Sequence, residues 1–188
     1  TAKPEELLGR LQQQSIDVLT LRDPGYPRLL AEIAVPPAVL FVRGQLDDGP
    51  AISVVGSRKM TPYGRRATDD IVRTLVQSGL TVVSGLALGI DGAAHYAALE
   101  AKGRTWAILP GGVNTPYPAS HQPLAQRILD TGGALVSEFP PGTPALKQHF
   151  PIRNRIIAGL SRATVVIEAT EQSGSLITAR SALESNRD

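Results

Sequence analysis

Short runs of valine and isoleucine recur along this chain, and stretches of helix-forming residues separate them. The runs that we predict as strands span residues 52–55, 81–84, 105–109, 134–136 and 164–169. Nearly continuous apolar runs of this length are typical of strands buried on both faces, as in parallel sheets covered by helices. The alternation therefore predicts an α/β fold with a Rossmann-like, doubly wound and mostly parallel sheet.

The segments between these strands predict the helices of the domain. Helices are expected over residues 62–78, 90–102, 118–130 and 153–160, and after Gly174. Pro62 suits a helix start, because a proline in the first turn needs no hydrogen-bond donor there. Each predicted strand of the domain is thus followed by a helix, as a doubly wound sheet requires.

The first fifty residues show a different pattern. Leucine spacing predicts a short amphipathic helix over residues 3–14, and residues 38–42 read as a strand. We expect residues 1–50 to form an N-terminal segment, with a partial helix and a strand that lead into the core. Residues 51–188 are expected to form the Rossmann-like domain, truncated at its carboxyl end because the chain stops within a predicted helix.

The composition limits what the domain can bind. Of the 188 residues 42% are hydrophobic, which is enough for a buried core, and the net charge is only +2. Nucleic-acid binding would therefore need local clusters of arginine and lysine. The absence of cysteine excludes disulfides and thiolate metal sites, and no apolar run approaches the roughly 20 residues of a membrane span. We expect a soluble, cytoplasmic protein with no membrane contact and with no metal or other cofactor.

One segment concentrates cations beside an aromatic residue. Lys147, Phe150, Arg153 and Arg155 fall within nine residues, directly before an apolar run at residues 156–160. An aromatic ring can stack on a base while cations neutralise phosphates, which is the chemistry of a single-stranded nucleic-acid clamp. The segment is therefore a candidate DNA-binding site.

The loop after the first strand of the domain is a second candidate, since ligands on doubly wound sheets bind beyond the carboxyl ends of the strands. There Gly56 permits close backbone approach to an anion, Ser57 can donate to it, and Arg58 can grip a phosphate. A tight turn with solvated cations explains the loop equally well. The Gly-x-Gly-x-x-Gly dinucleotide motif is absent, so we do not expect NAD binding.

The loop after the last strand is a third candidate. Ser173, Gly174 and Ser175 stand at the start of a predicted helix, where free amides and the helix dipole favour an anion such as phosphate. Helix capping would explain one serine but not two serines with a glycine. Anion binding is therefore the favoured interpretation.

The remaining loops give weaker signals. Asp91 is expected to cap the next helix, and His95 lies one turn further on, where it could hydrogen-bond to Asp91. No serine or cysteine nucleophile stands beside them. The glycines at residues 109–114 suit contact with a ligand or with a neighbouring loop, and Glu138 and Glu168 suit either a polar rim or an acid site.

Seven blocks of the sequence together resemble the DNA-processing protein A family, DprA, also called Smf. The order and spacing of so many blocks are highly specific, and the resemblance runs from about Tyr26 to the end of the chain. The blocks are residues 55–58, 84–95, 109–112, 117–118, 137–139, 150–160 and 172–179.

The resemblance implies a Rossmann-like domain that binds single-stranded DNA in bacterial natural transformation and recombination. It also implies protection of incoming strands, help in loading the RecA recombinase, a homodimer, and no catalytic residues. Phe150 would stack on a base. Carried over to this chain, the DNA-binding residues are Gly56, Ser57, Arg58, Lys147, Phe150, Arg153, Asn154, Arg155, Ser173, Gly174 and Ser175.

Two other functions stay open on the sequence. A nucleotide phosphoribohydrolase of the lysine-decarboxylase-like family has a similar fold and carries a Pro-Gly-Gly-x-Gly-Thr-x-x-Glu motif. Here Pro110-Gly111-Gly112 is followed by Val113-Asn114-Thr115, so the second glycine-threonine step and the glutamate are missing, which weighs against hydrolysis. A protein-interaction platform is the third function, and the clustered cations argue against it, because protein interfaces are depleted in lysine.

Overall fold

The computed structural model describes residues 4–171 and 173–188, and it shows helices packed on both faces of one seven-stranded sheet. The strands are β1 (Asp17–Thr20), β2 (Val39–Gly44), β3 (Ala51–Gly56), β4 (Thr81–Ser84), β5 (Thr105–Ile108), β6 (Ala134–Ser137) and β7 (Thr164–Ile167). The helices are α1 (Pro4–Gln13), α2 (Arg28–Ala31), α3 (Pro62–Gln77), α4 (Ile90–Glu100), α5 (Gln122–Asp130), α6 (His149–Gly159) and α7 (Gly174–Glu184), with a short 3-10 turn at Ala119–His121. The predicted α/β class is confirmed.

The strand order is β1-β2-β6-β5-β4-β3-β7. The five strands from β6 to β7 in this order are parallel, while β1 and β2 add to the β6 edge as antiparallel strands. The sheet is therefore mostly parallel, as predicted. The boundary expected near Ala51 falls between two strands of this one sheet, and the division at that point stays a prediction.

The two faces of the sheet carry separate cores. On one face, Val54 packs with Val72 of α3 and Ala94 of α4, and α5 continues this layer. On the other face, the next residue along β3, Val55, packs with Ile156 and Ile157 of α6. Because successive strand residues point to opposite faces, one short apolar run contributes to both cores.

The connection from β6 to β7 sets the position of a binding crevice. The chain moves outward from β3 through β4 and β5 to β6, and α6 then carries it back so that β7 pairs with the free side of β3. The loops that leave β3 and β7 therefore depart in opposite directions. A crevice opens beyond the carboxyl ends of the strands at such a switch point.

One helix begins earlier than predicted. Helix α6 starts at His149 rather than near residue 153, so Phe150 and Pro151 lie in its first turn. Proline is accommodated there because the first amides of a helix have no intrahelical acceptor. In the described parts of the chain, no helix combines the length and the apolar character needed to cross a bilayer.

Candidate nucleic-acid interface

A cleft of about 880 Å³ opens at the switch point. Its walls come from the loops after β3, β5 and β6, one face of α6 and the start of α7. Its lining includes every predicted DNA-binding residue except Arg155, namely Gly56, Ser57, Arg58, Lys147, Phe150, Arg153, Asn154, Ser173, Gly174 and Ser175. The structure thus brings together three segments that the sequence placed far apart, and the contact of each residue with DNA stays a prediction.

Helical spacing explains which part of the basic segment faces the cleft. Phe150, Arg153, Asn154 and Ile157 line it and follow the i, i+3, i+4, i+7 pattern of one helix face. Arg155 lies on a different face of α6, where its guanidinium forms a two-point ion pair with Glu138, with nitrogen–oxygen distances of 2.9 and 2.6 Å. The structure therefore does not bring Arg155 to the cleft.

Arg153 forms the floor of the cleft. The side chain is 3% exposed and donates from Nη1 to the carbonyl oxygens of Gly85, at 2.7 Å, and Ile108. Its Nε donates to Asn154 Oδ1 at 3.2 Å. Burial lowers the pKa of Arg153 to about 10, so the guanidinium remains charged at neutral pH. This arginine is thus held by the protein's own carbonyl groups at the ends of two strands.

The glycines beneath the cleft serve close packing of one loop on another. A Cβ at Gly85 would lie 2.5 Å from Arg153 Nη1, so the arginine occupies the space that a side chain would need. Gly89 has a φ of +79°, and a Cβ there would overlap the backbone of Ser57 and Arg58. The loop after β4, which carries Gly85 and Gly89, therefore supports the loop after β3 from within the protein.

Asp91 does not cap a helix, which corrects the expectation from the sequence. It is the second residue of α4, and its Oδ2 accepts from the backbone N–H of Gly85 at 3.1 Å. The loop folds back over the helix start, so loop amides meet the carboxylate instead of the amides of the first turn. Burial raises the pKa of Asp91, and the nearby positive charge of Arg153 acts in the opposite direction.

His95 does not pair with Asp91 either. Its Nδ1 lies 2.7 Å from Thr105 Oγ1, and that hydroxyl donates to the Val82 carbonyl at 2.8 Å. The hydroxyl proton is thereby used, so His95 Nδ1 must carry the proton and Nε2 must be an acceptor. The pKa of His95 is lowered to about 3, first by burial and then by the charges of His121 and Arg153. His95 is a neutral core residue.

The rim of the cleft differs from its floor in carrying exposed cations. Arg58 and Lys147 are exposed and line the opening. Among the described residues, neither forms an ion pair with a carboxylate. Ser57 turns its hydroxyl to the Lys59 carbonyl at 3.0 Å and shapes the loop that presents Arg58. The rim therefore holds positive charge that the protein itself leaves available.

The start of α7 closes the opposite side of the cleft. Ser173 is the N-cap residue and accepts from the Ser175 N–H at 3.4 Å, while the two hydroxyls lie 2.6 Å apart. Asn154 Nδ2 donates to the Gly174 carbonyl at 3.2 Å and ties α7 to α6. Capping and mutual hydrogen bonding thus account for both serines, so the sequence argument for an anion here becomes weaker.

The two glutamates that the sequence left open are structural. Glu138 holds Arg155, and Glu168 accepts from the backbone N–H of Thr61 at 2.8 Å and from its hydroxyl at the start of α3. These hydrogen bonds lower the pKa of Glu168, the one from the Thr61 hydroxyl having the largest effect. Neither carboxyl group is placed as an acid site.

The loop after β5 supplies a residue that the sequence analysis did not select. Gly112 N–H donates to the Thr143 carbonyl at 2.9 Å, and a Cβ at Gly111 would lie 2.7 Å from the same carbonyl oxygen. These glycines therefore contact a neighbouring loop. The same loop carries Tyr117, which lines the cleft. The sequence signal that could have selected Tyr117 is its position in the loop that follows a predicted strand.

The aromatic side chains of the cleft contact each other and an arginine. The rings of Phe150 and Tyr117 meet edge to face, with centroids 5.8 Å apart. The guanidinium carbon of Arg58 lies over the Phe150 ring at 5.0 Å from its centroid, within the range of cation–π attraction. Phe150 therefore connects Arg58 on the rim with the face of α6 that lines the cleft.

Curated relatives match almost the whole chain. The chain is 47% identical to protein Smf of Synechocystis over 98% of its own length and 48% of that protein's. It is 41% identical to DNA processing protein DprA of Bacillus subtilis, over 99% of this chain and 63% of that protein. It is 45% identical to protein Smf of Escherichia coli, over 98% and 50%. The chain thus spans between about half and two thirds of the length of these relatives.

Solved structures share the fold. DNA processing protein A from Streptococcus pneumoniae superposes with a TM-score of 0.87 at 41% identity, covering 96% of this chain and 64% of that one. DNA processing protein A from Helicobacter pylori gives 0.81 at 28% identity, covering 92% and 78%. A molybdenum cofactor binding protein from Rippkaea orientalis, at 19% identity and a TM-score of 0.53 over 73% and 72%, shares the fold alone.

The family profile agrees with these likenesses and with the resemblance seen in the sequence. Residues 17–188 match the family described as DNA recombination-mediator protein A. That span contains every wall of the cleft described above. The chain therefore belongs to the DNA recombination-mediator protein A family.

Proposed function

We propose that this domain binds single-stranded DNA through the cleft, as part of a DNA-processing protein that acts in natural transformation and recombination. The observation that carries the proposal is the pair of exposed cations, Arg58 and Lys147, at the opening of a cleft that also presents aromatic rings. Cations that track a backbone beside rings that stack on bases are the recurring elements of single-strand binding.

The comparisons support the same ligand. The structurally similar protein from Helicobacter pylori is described by its single-stranded DNA binding mode. Its likeness to this chain covers 92% of the chain. Binding to any sequence is expected, because phosphates are common to all strands and every base has a face for stacking.

We propose that binding takes place without catalysis. In the phosphoribohydrolase alternative the Pro-Gly-Gly loop would carry the chemistry, but here Gly111 and Gly112 pack against the backbone around Thr143. The glutamates at the strand ends hold Arg155 and the start of α3. The hydrolase alternative is accordingly not favoured.

The finer roles follow from family membership and are proposals of the same kind. We propose that the whole protein protects incoming strands in the cytoplasm, acts as a homodimer and helps RecA to assemble on the bound DNA. Light scattering of the purified protein would give its mass in solution. RecA assembly on strands coated with a competing single-strand binding protein should become faster when the protein is added, and an unchanged rate would contradict the loading role.

The binding proposal is tested by fluorescence anisotropy with a labelled single-stranded oligonucleotide and its duplex, each over a salt series. We expect tight, salt-sensitive binding to the single strand and weaker binding to the duplex. Absence of single-strand binding at low salt would refute the proposal. Equal affinity for the single strand and the duplex would contradict base stacking on the aromatic rings, because the bases of a duplex are already stacked on each other.

A further inference from the structure

A second, smaller cavity of about 220 Å³ lies between α5 and the strands β2 and β6. Its polar lining comes from Arg43 of β2, Asn114 in the loop after β5, and Gln122 and Gln126 of α5. The rest of its described wall is apolar, and none of its described lining residues belongs to the cleft. The loop after β5 contributes to both cavities, because Tyr117 of the same loop lines the cleft. The smaller cavity is therefore a separate site beside the proposed DNA-binding cleft.

Arg43 supplies the charge of this cavity. It stands opposite Leu135 of β6 and is partly buried. Among the described residues, its side chain has no hydrogen-bond acceptor and no carboxylate partner. The other arginines that the structure describes as buried or partly buried all donate hydrogen bonds, and they are Arg65, Arg153, Arg155 and Arg187. Arg43 thus differs from them in having its donors available.

The lack of a protein partner for Arg43 has an energetic cost. A guanidinium carries a full charge and five N–H donors, and shielding it from water without acceptors is unfavourable. In the described part of the chain no carboxylate lines the cavity, and Asp130 at the end of α5 is held by Gln126 Nε2 at 2.8 Å. The protein does not neutralise the positive charge of the cavity, so an anion that entered it would remove this cost.

The side-chain amides of Asn114 and Gln122 differ in their availability. Asn114 is engaged on both sides, since its Nδ2 donates to Gln14 Oε1 at 3.2 Å and its Oδ1 accepts from the Gly142 N–H at 2.8 Å. Gln122 makes no side-chain hydrogen bond within the described residues, so its amide can donate to a ligand. The available donors are therefore Gln122 and the planar fork of Arg43, which suits two oxygens of a phosphate.

We propose that this cavity binds a phosphate group, with Arg43 contacting two of its oxygens and Gln122 donating to a third. A volume of about 220 Å³ fits one group of this size and not a helix of a partner protein. The phosphate belongs either to a small phosphorylated molecule or to a strand that leaves the cleft past Tyr117. The first source is independent of the proposed function, whereas the second rests on it.

Substitutions at Arg43 separate its charge from its shape. Arg43→Gln removes both, and it should raise the phosphate concentration needed for half-saturation by roughly tenfold or more, as for loss of a hydrogen bond to a charged group. Arg43→Lys keeps the charge but cannot contact two oxygens in one plane, so its effect should be smaller. Arg162→Gln is the matched control, because Arg162 is exposed, makes no ion pair within the described chain and lines neither cavity.

The first experiment is a titration of the whole chain with inorganic phosphate, followed by proton–nitrogen correlation NMR at constant ionic strength with chloride as the replaced anion. The signals of the Arg43 Nε–H and of the Gln122 side-chain amide should shift and saturate. Arg43→Gln should move the Gln122 titration to higher phosphate, and Arg162→Gln should titrate as the wild type does. These signals report on this cavity, so they distinguish it from phosphate bound in the cleft.

The second experiment identifies the source of the phosphate. Binding of a labelled single-stranded oligonucleotide is measured by anisotropy over a salt series for the wild type and Arg43→Gln. If a strand supplies the phosphate, Arg43→Gln should lower the slope of log affinity against log salt by about one. An unchanged slope together with a saturable phosphate titration would assign the cavity to a small phosphorylated molecule.

The outcomes distinguish this proposal from the proposed function. If the wild type binds no single strand, the proposed function fails, and the phosphate titration still decides the role of the cavity. The proposal is overturned if phosphate shifts neither signal beyond the change seen in chloride and Arg43→Gln keeps the salt slope of the wild type. Titrations and slopes that are equal in the wild type and Arg43→Gln would overturn it as well. Well-dispersed amide spectra of each variant establish that it is folded.

Discussion

The floor and the rim of the cleft both carry arginine, yet the two arginines are in opposite circumstances. Arg153 on the floor is 3% exposed, and main-chain carbonyl groups of Gly85 and Ile108 accept its hydrogen bonds. Arg58 on the rim is exposed and has a ring, not a carboxylate, as its neighbour. The comparison shows that a cation in a binding cleft need not be there for the ligand, and that its existing partners decide its role.

The physical reason lies in the cost of removing charge from water. A buried guanidinium is costly unless it is hydrogen-bonded, and Nη1 and Nε of Arg153 are already bonded to the protein before any ligand arrives. An exposed cation keeps its hydration until it meets a phosphate, and the release of counterions from the strand then favours binding. We therefore propose that Arg153 serves mainly the structure of the cleft and that Arg58 and Lys147 meet the ligand.

The largest effect is expected from Arg153→Ala. Two carbonyl groups would lose their donor inside the protein, and the free energy of unfolding should fall by about 3–5 kcal/mol, as when one member of a buried charged network is removed. Chemical denaturation followed by circular dichroism measures it. Arg22→Ala, an exposed arginine in the turn after β1, is the control and should leave stability unchanged. If Arg153→Ala kept wild-type stability but weakened DNA binding, Arg153 would have to be grouped with Arg58 and Lys147 as a residue that contacts the ligand.

The free energy of unfolding should depend on pH in the acid range because His95 is buried and neutral. The pKa of His95 is about 3 in the folded protein and near its ordinary value of 6.5 in the unfolded chain. Between these two pH values, only the unfolded chain carries the second proton on the His95 ring. The stability is therefore fully present above pH 6.5 and falls as the pH decreases toward 3, with a slope of up to about 1.4 kcal/mol per pH unit.

The matched variant for this pH effect is His95→Asn, whose side-chain amide keeps a donor near Thr105 without the titration. The unfolding free energies of the two proteins are measured from pH 7 to pH 4. Asp91, whose raised pKa acts in the opposite sense, is present in both proteins and cancels in their difference. A difference that does not change with pH would show that the pKa of His95 is the same in the folded protein as in the unfolded chain.

The rim cations should give a smaller effect, confined to binding. Arg58→Ala and Lys147→Ala should each weaken single-strand binding by about tenfold, corresponding to roughly 1.5 kcal/mol for one charged contact. Each should also lower the slope of log affinity against log salt by about one. Anisotropy titrations measure both quantities, and the unfolding curves should match the wild type. Unchanged affinity in both variants would reject the rim as the phosphate site.

The smallest effect concerns Arg155, the predicted DNA-binding residue that lies outside the cleft. Its ion pair with Glu138 is about three quarters buried, with 21% and 25% of the two side chains exposed. A double-mutant cycle with Arg155→Ala and Glu138→Gln should give a coupling energy of about 1 kcal/mol in stability. Neither single variant should change the salt dependence of DNA binding. A lower slope for Arg155→Ala alone would restore it to the DNA-contacting set.

Much of the fold followed from the sequence because apolar periodicity reports burial directly. The strands at residues 81–84 and 164–167 and the start of α3 at Pro62 lie where the valine runs and the proline predicted them. The addition of β1 and β2 to the sheet was not predicted. A short strand at an antiparallel edge has no neighbour in sequence that signals its partner, and β2 pairs with β6 across about ninety positions.

The sequence predicted which residues line the cleft, but not which of them are already bonded to the protein and which are left available for a ligand. Residue types at strand ends identify what can bind an anion, and those positions did come together. The partners of a residue cannot be inferred from its type. Arg153 and Arg155 look alike in the sequence, but their two-residue separation on α6 places one in the cleft and the other against Glu138. Asp91 shows the same limit, because its partner Gly85 lies in a loop that folds back.

The crossing that places β7 beside β3 also sets when the cleft can exist. Ser53 and Thr164, whose hydroxyls lie 2.7 Å apart, are separated by 111 positions, and the two walls of the cleft are joined across this pair of strands. On the ribosome, the loop that carries Arg58 emerges long before the serines of α7. Contacts of such long range form late in folding. A nascent chain should therefore acquire its proposed affinity for single-stranded DNA in a single late step, after α7 has been translated and has packed beside the loop that carries Arg58.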